Sequence, residues 1–151
     1  MATLLTSVGG CSVSEIVTGE SKVQHSSSDM SDKPKESEYS NSRFKAKEID
    51  KHTLVLIDKQ THVQYLRVVR NAGFDGGLDI LPLYQANGKP YVGDEVKDNR
   101  FSVQKVGKHT YIITDGETKV QYLKLVRNEG FDGGVVLEPL LTPEGELLLA
   151  Q

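Results

Sequence analysis

The sequence predicts an all-β fold made of two tandem copies of one small module. Shifted by 57 residues, Arg43–Asp94 aligns with Arg100–Gln151 without a gap, and 22 of 52 positions are identical. Each copy contains short stretches rich in Val, Ile, Leu and Tyr between polar turns, as in β-meanders. Residues 1–42 lack both features. We therefore predict two β-meander modules, residues 43–94 and 100–151, behind a disordered tether.

The composition allows a buried core and excludes several classes of site. Hydrophobic residues make up 37% of the 151 residues and charged residues 26%, which is ordinary for a globular protein. Residues 43–151 carry fifteen acidic and fifteen basic side chains, so the basic excess that binds nucleic acid is absent. The single cysteine excludes an intrachain disulfide and a Cys-rich zinc site.

The leader, residues 1–11, ends in Val8-Gly9-Gly10-Cys11, which resembles the lipobox of bacterial lipoproteins. This resemblance implies lipidation of Cys11 and an anchor in the cell membrane, on its extracytoplasmic face. However, no Lys or Arg precedes Cys11, whereas a secretory signal starts with positive charge before an apolar stretch. Either the true start lies upstream of Met1, or the likeness is accidental and the leader is an unstructured end with a free thiol.

Residues 12–42 are predicted to form a disordered linker. Ten of these residues are serine, and large apolar residues are few and isolated. Such a composition cannot bury enough apolar surface to fold. As a flexible chain it would span on the order of 30 Å, enough to hold a folded module clear of a lipid surface.

The centre of each repeat is predicted to be a β-hairpin. Thr53–Asp58 and Thr61–Arg70 are rich in β-forming residues and flank a polar turn at 58–61, and the second copy has the matching turn at 115–118. A helix over residues 61–70 is the alternative, which would make the fold α+β.

The remaining strands of each repeat complete a meander of four or five strands. A first strand is expected to start at Phe44 and at Phe101. A later strand and its closing turn are expected in each copy: Leu78–Tyr84 with Asn87-Gly88, and Val135–Leu141 with Glu144-Gly145. Two copies are too few for an open solenoid, so we expect them to share one core about a pseudo-twofold axis.

The Gly-Phe-Asp-Gly-Gly loop, at 73–77 and 130–134, is the first candidate site. Adjacent glycines can adopt positive φ and present backbone amides to a ligand, beside the carboxylates of Asp75 and Asp132. The alternative is a bulge or sharp turn whose Phe fills the core. No EF-hand or glycine-rich calcium repeat is present, so we expect no metal.

The second candidate site combines duplicated histidines and arginines. His52 and His109 recur between Lys and Thr, and Arg70 and Arg127 follow later in each repeat. Together they could line a pocket between the repeats for a small anionic molecule. The alternative is that Lys-His-Thr forms a solvated turn with local side-chain hydrogen bonds. No nucleophile–base arrangement or phosphate-binding motif occurs, so we expect no catalysis and no cofactor.

The repeat resembles a small domain family of unknown function from Gram-positive bacteria and their prophages. The resemblance lies in the Arg-Phe start, a strand ending in Asp, Val-x-Tyr-Leu, a Gly-x-x-Gly-Gly loop, Pro-Leu and a turn glycine. It implies no activity, but it favours a Gram-positive or phage origin, where such modules sometimes follow a lipoprotein signal.

Three functions remain open at this point. The first is a non-enzymatic, membrane-anchored lipoprotein that presents the duplicated module to a binding partner, a role that would suit a prophage-encoded protein of the cell envelope. The second is a cytosolic protein that sequesters a small anionic ligand between its repeats. The third is a structural repeat that serves only assembly.

Overall fold

The computed structural model describes residues 36–70, 76–127 and 133–151, and this part of the chain is all-β. It contains two four-stranded antiparallel sheets and one short helix, α1, at Glu36–Tyr39. The prediction of two tandem β-meander modules is confirmed.

Each sheet follows chain order, with neighbouring strands joined in sequence. The first sheet has strands β1 Phe44–Asp50, β2 Thr53–Asp58, β3 Gln64–Val69 and β4 Leu78–Pro82. The second has β5 Phe101–Gly107, β6 Thr110–Asp115, β7 Gln121–Arg127 and β8 Gly134–Pro139. The alternative of a helix over 61–70 is wrong, because β3 pairs with β2 on one side and with β4 on the other.

The closing turn of each module has the predicted glycine. After β4 the chain reverses so that Tyr84 bridges Pro90 and Val92 returns to Val63. Gly88 and Gly145 have φ of 78° and 86°, a backbone conformation that side chains with a Cβ rarely adopt. After each turn the chain runs back beside the preceding segment, so each module ends in a short hairpin.

The two sheets share one hydrophobic core, as predicted, but they contribute opposite faces to it. The first sheet supplies Val55, Ile57, Leu66 and Val68, whereas the second supplies Ile113, Tyr122, Val126 and Leu137. The repeat equivalents of this second set are Leu56, Tyr65, Val69 and Ile80, which lie on the other face of the first sheet.

The repeats therefore stack front to back, which differs from the expected pairing about a pseudo-twofold axis. A twofold axis brings the same surface of both copies together, whereas here two different surfaces meet. The physical reason is that the polar groups that hold the contact are present in only one copy. Asp50 accepts a bond from Lys124 and Asp79 accepts one from Leu137 N, whereas the equivalent positions of the second repeat are Gly107 and Val136.

The end of the predicted linker is ordered against β1. Glu36 Oε1 accepts a hydrogen bond from Glu48 N at 2.9 Å, and Ser40 Oγ accepts one from Ala46 N at 2.9 Å. Residues 36–42 therefore belong to the folded unit, because their side chains take up the outward N–H groups of an edge strand. The rest of the linker, the leader and Cys11 lie outside the described residues.

Candidate functional site

Each repeat is held together by an Arg–Asp pair between the start of its first strand and the end of its second. Arg100 binds Asp115 with two hydrogen bonds of 2.8 and 2.5 Å, and Arg43 binds Asp58 with bonds of 2.6 and 2.7 Å. The Arg100 side chain is 1% exposed and that of Arg43 is 44% exposed. The hydrogen bond from Arg43 holds the pKa of Asp58 well below its usual range. These pairs explain why Arg and Asp recur in both copies.

Arg100 also joins the two repeats. Its Nη1 donates to Gln64 Oε1 at 2.8 Å, and Gln64 Nε2 donates to the carbonyls of Gly93 and Glu95 at 3.0 and 3.1 Å. The Arg100 guanidinium carbon lies 3.9 Å from the centroid of the Tyr91 ring. Burial opposes the charge of Arg100, but its hydrogen bond to Asp115 raises its pKa overall. The buried guanidinium thus stays charged, and all three of its nitrogens donate hydrogen bonds to Asp115 or Gln64.

Further polar contacts cross between the sheets. Lys124 Nζ donates to Asp50 Oδ2 at 2.7 Å and to Thr53 Oγ1 at 2.9 Å. The backbone N–H of Leu137 donates to Asp79 Oδ2 at 2.7 Å.

A tyrosine hydroxyl completes this set of contacts. The Tyr122 hydroxyl accepts a bond from Tyr84 N at 2.8 Å, and burial raises the pKa of Tyr122. The contact between the repeats is therefore specified by directional bonds as well as by apolar packing.

One glycine of each double glycine sits in close contact with the other repeat. A Cβ on Gly77 would lie 3.0 Å from the backbone nitrogen of Val135, and one on Gly133 would overlap the Arg70 guanidinium. Neither Gly77 nor Gly134 has positive φ. The expectation of positive φ is wrong for these two glycines, and Gly77 and Gly133 instead allow close approach. The preceding loop residues, including Phe74, Asp75, Phe131 and Asp132, lie outside the described residues.

The two repeated histidines lie in tight turns. His52 and His109 have φ of 67° and 60°, and their carbonyls accept hydrogen bonds from Val69 N at 2.8 Å and Val126 N at 3.0 Å. The following threonine of each turn bonds back to the lysine carbonyl, at 3.4 Å in the first repeat and 3.1 Å in the second. The interpretation of Lys-His-Thr as a turn with local hydrogen bonds is confirmed, but the turn of the first repeat is not fully solvated, because Thr53 is buried and bonded to Lys124.

The structure brings two of the four residues predicted to bind an anion together. His109 and Arg127 line an open depression of about 410 Å³ on the second repeat, whose floor includes Leu125 and Val136.

The other two predicted residues lie elsewhere. His52 lines a separate depression of about 200 Å³ beside Lys124. Arg70 is buried, with its guanidinium against Gly133. Within the described ranges these residues do not share a single symmetric pocket, and ligand binding by them stays a prediction.

Sequence reasoning missed the outward face of the second sheet, which we call the outer face. It carries an apolar stripe formed by Ile112, Leu123, Leu125 and Val136. Val136 is 42% exposed and the other three are half-buried. The equivalents of the first three in the first repeat, Val55, Leu66 and Val68, lie in the shared core. The similarity of the two copies hid this difference in burial, because burial depends on which face of each sheet meets the neighbouring sheet.

Two further classes of site can be addressed for the described part of the chain. No group of three His, Cys, Asp or Glu side chains there is placed to hold a metal ion. Across the same residues, helices long and apolar enough to cross a membrane are absent.

The chain matches no protein-family model, no curated protein and no solved structure.

Proposed function

We propose that this protein is a non-enzymatic interaction module, anchored to a membrane through a lipidated Cys11, that uses the outer face of its second repeat to bind a protein partner. The module, the linker and the cysteine would form one surface-displayed unit. The lipobox-like leader supports the anchor, and the geometry of the stacked sheets supports the binding role.

The outer face is the observation that carries the binding role. An apolar stripe on a sheet is normally covered by another layer of structure. Here the stripe is flanked by polar residues, with Arg127 at one end and the exposed Glu138 beside Leu123. An apolar patch rimmed by polar residues is typical of a protein interaction site. A flat face with a shallow depression fits a partner's side chains better than an enclosed small molecule.

The bonding of the Arg and Asp residues that recur in both repeats supports a role other than catalysis. The Arg and Asp side chains of the two repeated pairs bond to each other, and Arg100 also bonds to Gln64. The histidine carbonyls complete turns. Groups used in this way are needed to hold the fold.

The anchor rests on the sequence. Val8-Gly9-Gly10-Cys11 would supply the lipidation site, and the Ser-rich linker would give the folded unit reach from the lipid surface. A single lipid-modified end and a polar tether would leave the sheets facing the extracytoplasmic side. The resemblance to modules of Gram-positive bacteria and prophages supports the same placement.

The anchor is tested by expression from the native upstream DNA in a Gram-positive host. We expect an intact mass that corresponds to a diacylglyceryl chain starting at Cys11, and partitioning into the detergent phase. The Cys11→Ser variant should stay in the aqueous phase. An unmodified product starting at Met1 would contradict the anchor without affecting the binding surface.

The binding surface is tested by site-specific photocrosslinking in the same cells. A photoreactive residue at Val136, on the outer face, should give discrete protein adducts. The matched control is the same residue at Leu141, which is 54% exposed and lies in the closing turn after β8, outside the outer face. Equal adduct patterns at both positions, or none at Val136, would contradict the proposed surface.

A second candidate is a cytosolic protein that binds a small anionic ligand beside His109 and Arg127. The shared depression of these two residues is the observation that favours it. A ligand at a hundred times its dissociation constant should stabilise the fold by about 2.7 kcal/mol. Thermal unfolding with a panel of nucleotides and inorganic phosphate would detect it, and Arg127→Gln should remove the shift while Arg43→Gln keeps it. No shift with any panel member would count against this candidate.

A further inference from the structure

The contact between the repeats uses one face of each sheet and leaves part of the opposite face exposed. Leu78 and Ile80 are exposed in the first repeat and Val136 in the second, whereas other residues on the far face of the first sheet are buried, namely Leu54, Leu56 and Val69. In a front-to-back stack, one face of the first sheet meets the opposite face of the second. The outer face of the second repeat is thus equivalent to the face of the first repeat that contacts the second repeat, which we call the accepting surface. The far face of the first repeat is likewise equivalent to the face of the second repeat that contacts the first, which we call the inserting surface.

The internal contact shows what the accepting surface binds. In the first repeat, Thr53 Oγ1 receives Lys124 Nζ and Asp79 receives the backbone N–H of Leu137. Gly77 packs against Val135 beside them. The accepting surface therefore binds the β7–β8 side of the second repeat.

The equivalent place in the second repeat is open. Its residues Thr110, Leu125 and Val136 correspond to Thr53, Val68 and Asp79, and they line the depression of about 410 Å³. The carboxylate of Asp79 is replaced by the side chain of Val136, so this copy of the surface is more apolar than the occupied one. An apolar insert suits it better than a charged one.

The first repeat exposes such an insert. Leu78 and Ile80 of β4 correspond to Val135 and Leu137 of β8, which insert in the internal contact. Leu78 is 58% exposed and Ile80 is 47% exposed, and both lie on the face of the first sheet that points away from the second. They sit next to Arg67, whose guanidinium lies 4.2 Å from the centroid of the Tyr39 ring.

We propose that copies of this chain associate head to tail, with Leu78 and Ile80 of one molecule packing into the depression lined by Leu125 and Val136 of the next. This inference rests on the proposed function, because it names the partner of the same outer face. The contact joins two different surfaces, so it builds open chains or rings rather than closed dimers. Because Tyr39 covers Arg67, the contact is confined to the β4 side of that face.

The test uses purified full-length chain and two single variants in sedimentation velocity. Ile80→Lys destroys the inserting surface and keeps the depression, whereas Val136→Lys does the reverse. We expect the average mass of the unmodified sequence to rise with concentration beyond that of a dimer. Each variant alone should be monomeric, and an equimolar mixture should form dimers and nothing larger, because only one intact contact can form.

The matched control is Leu141→Lys, which replaces a similarly exposed apolar residue of the closing turn after β8, outside both surfaces, and should associate like the unmodified sequence. Circular dichroism checks that each variant is folded. An unmodified chain that stays monomeric at every concentration, or a mixture of variants that stays monomeric, overturns the proposal. Association that Val136→Lys leaves unchanged also overturns it.

The crosslinking experiment separates this inference from the proposed function. Adducts from Val136 to a second copy of the chain support both. Adducts to a different protein, or to the linker of the same chain, overturn head-to-tail association, and the first of these still supports the proposed function. An absence of adducts overturns both.

Discussion

Arg100 of the second repeat donates a hydrogen bond of 2.8 Å to Gln64 of the first, and both side chains are buried. The equivalent glutamine of the second repeat, Gln121, is only half-buried, and its Nε2 lies 3.4 Å from Thr114 Oγ1. One residue type at one position of the repeat thus joins the two modules in the first copy and makes a weak local contact in the second.

Gln64→Met should destabilise the fold by about 2 kcal/mol, because it leaves a buried charged donor and two backbone carbonyls without a partner. Gln121→Met is the matched control and should cost a small fraction of that. Urea unfolding of both variants measures the difference. Equal losses would contradict the role of Gln64 in joining the repeats.

The two Arg–Asp pairs should differ in energy because they differ in burial. Arg100→Met leaves the buried Asp115 carboxylate without its partner, and we expect a loss of about 3–5 kcal/mol. Arg43→Met should lower the unfolding midpoint much less, because the Arg43 side chain is 44% exposed. The measurement is the urea midpoint of each variant against the unmodified chain. A larger effect of Arg43→Met would show that burial is not the deciding factor.

Two glycine substitutions should have opposite effects. A Cβ on Gly76 would lie 2.7 Å from the carbonyl oxygen of Arg70, so Gly76→Ala should destabilise the fold. A Cβ on Gly134 would meet nothing within 4 Å, so Gly134→Ala should be neutral or stabilise by about 0.4–1 kcal/mol through the unfolded chain. Thermal unfolding of the two variants provides the comparison. Destabilisation by Gly134→Ala of the same size would contradict this account of the glycine pairs.

Acid should weaken the fold partly through Asp58. Its pKa is lowered in the folded state, so the unfolded chain binds a proton first as the pH falls. The stability from this carboxylate is present above about pH 4 and is lost as the pH drops through its folded pKa.

Asp58→Asn should therefore be less stable than the unmodified chain near neutral pH and should lose less stability on acidification. Urea midpoints at about pH 7 and pH 3 measure both effects. Asp98→Asn, whose side chain is 86% exposed, is the control and should follow the unmodified chain at both values. An Asp58→Asn variant with the full acid sensitivity would contradict the proposed origin of that sensitivity.

Local features of the fold could be predicted from the sequence because they depend on neighbouring residues. The hairpin around Asp58 and the turn at Gly88 follow from strand-forming stretches and turn residues. The Arg–Asp pairs left a signal as well, since Arg43 and Asp58 are retained as Arg100 and Asp115, but their partnership required the register of β1 on β2.

The stacking of the repeats could not be predicted in the same way. Val55 and Ile112 occupy the same position of the repeat, yet one is in the core and the other faces outward. A β-strand with apolar residues on both faces does not indicate which face will meet a neighbour. The candidate site on the outer face depends on that choice, so it became visible only with the sheets in place.

The hydrogen bonds of Ser40 and Glu36 to β1 have a consequence for aggregation. Unpaired N–H groups on an edge strand are the template on which a strand of another molecule adds, and amyloid grows by this addition. At Ala46 and Glu48 those groups are already bonded to side chains that precede the strand. Strand-by-strand polymerisation is therefore blocked at the β1 edge of the first sheet.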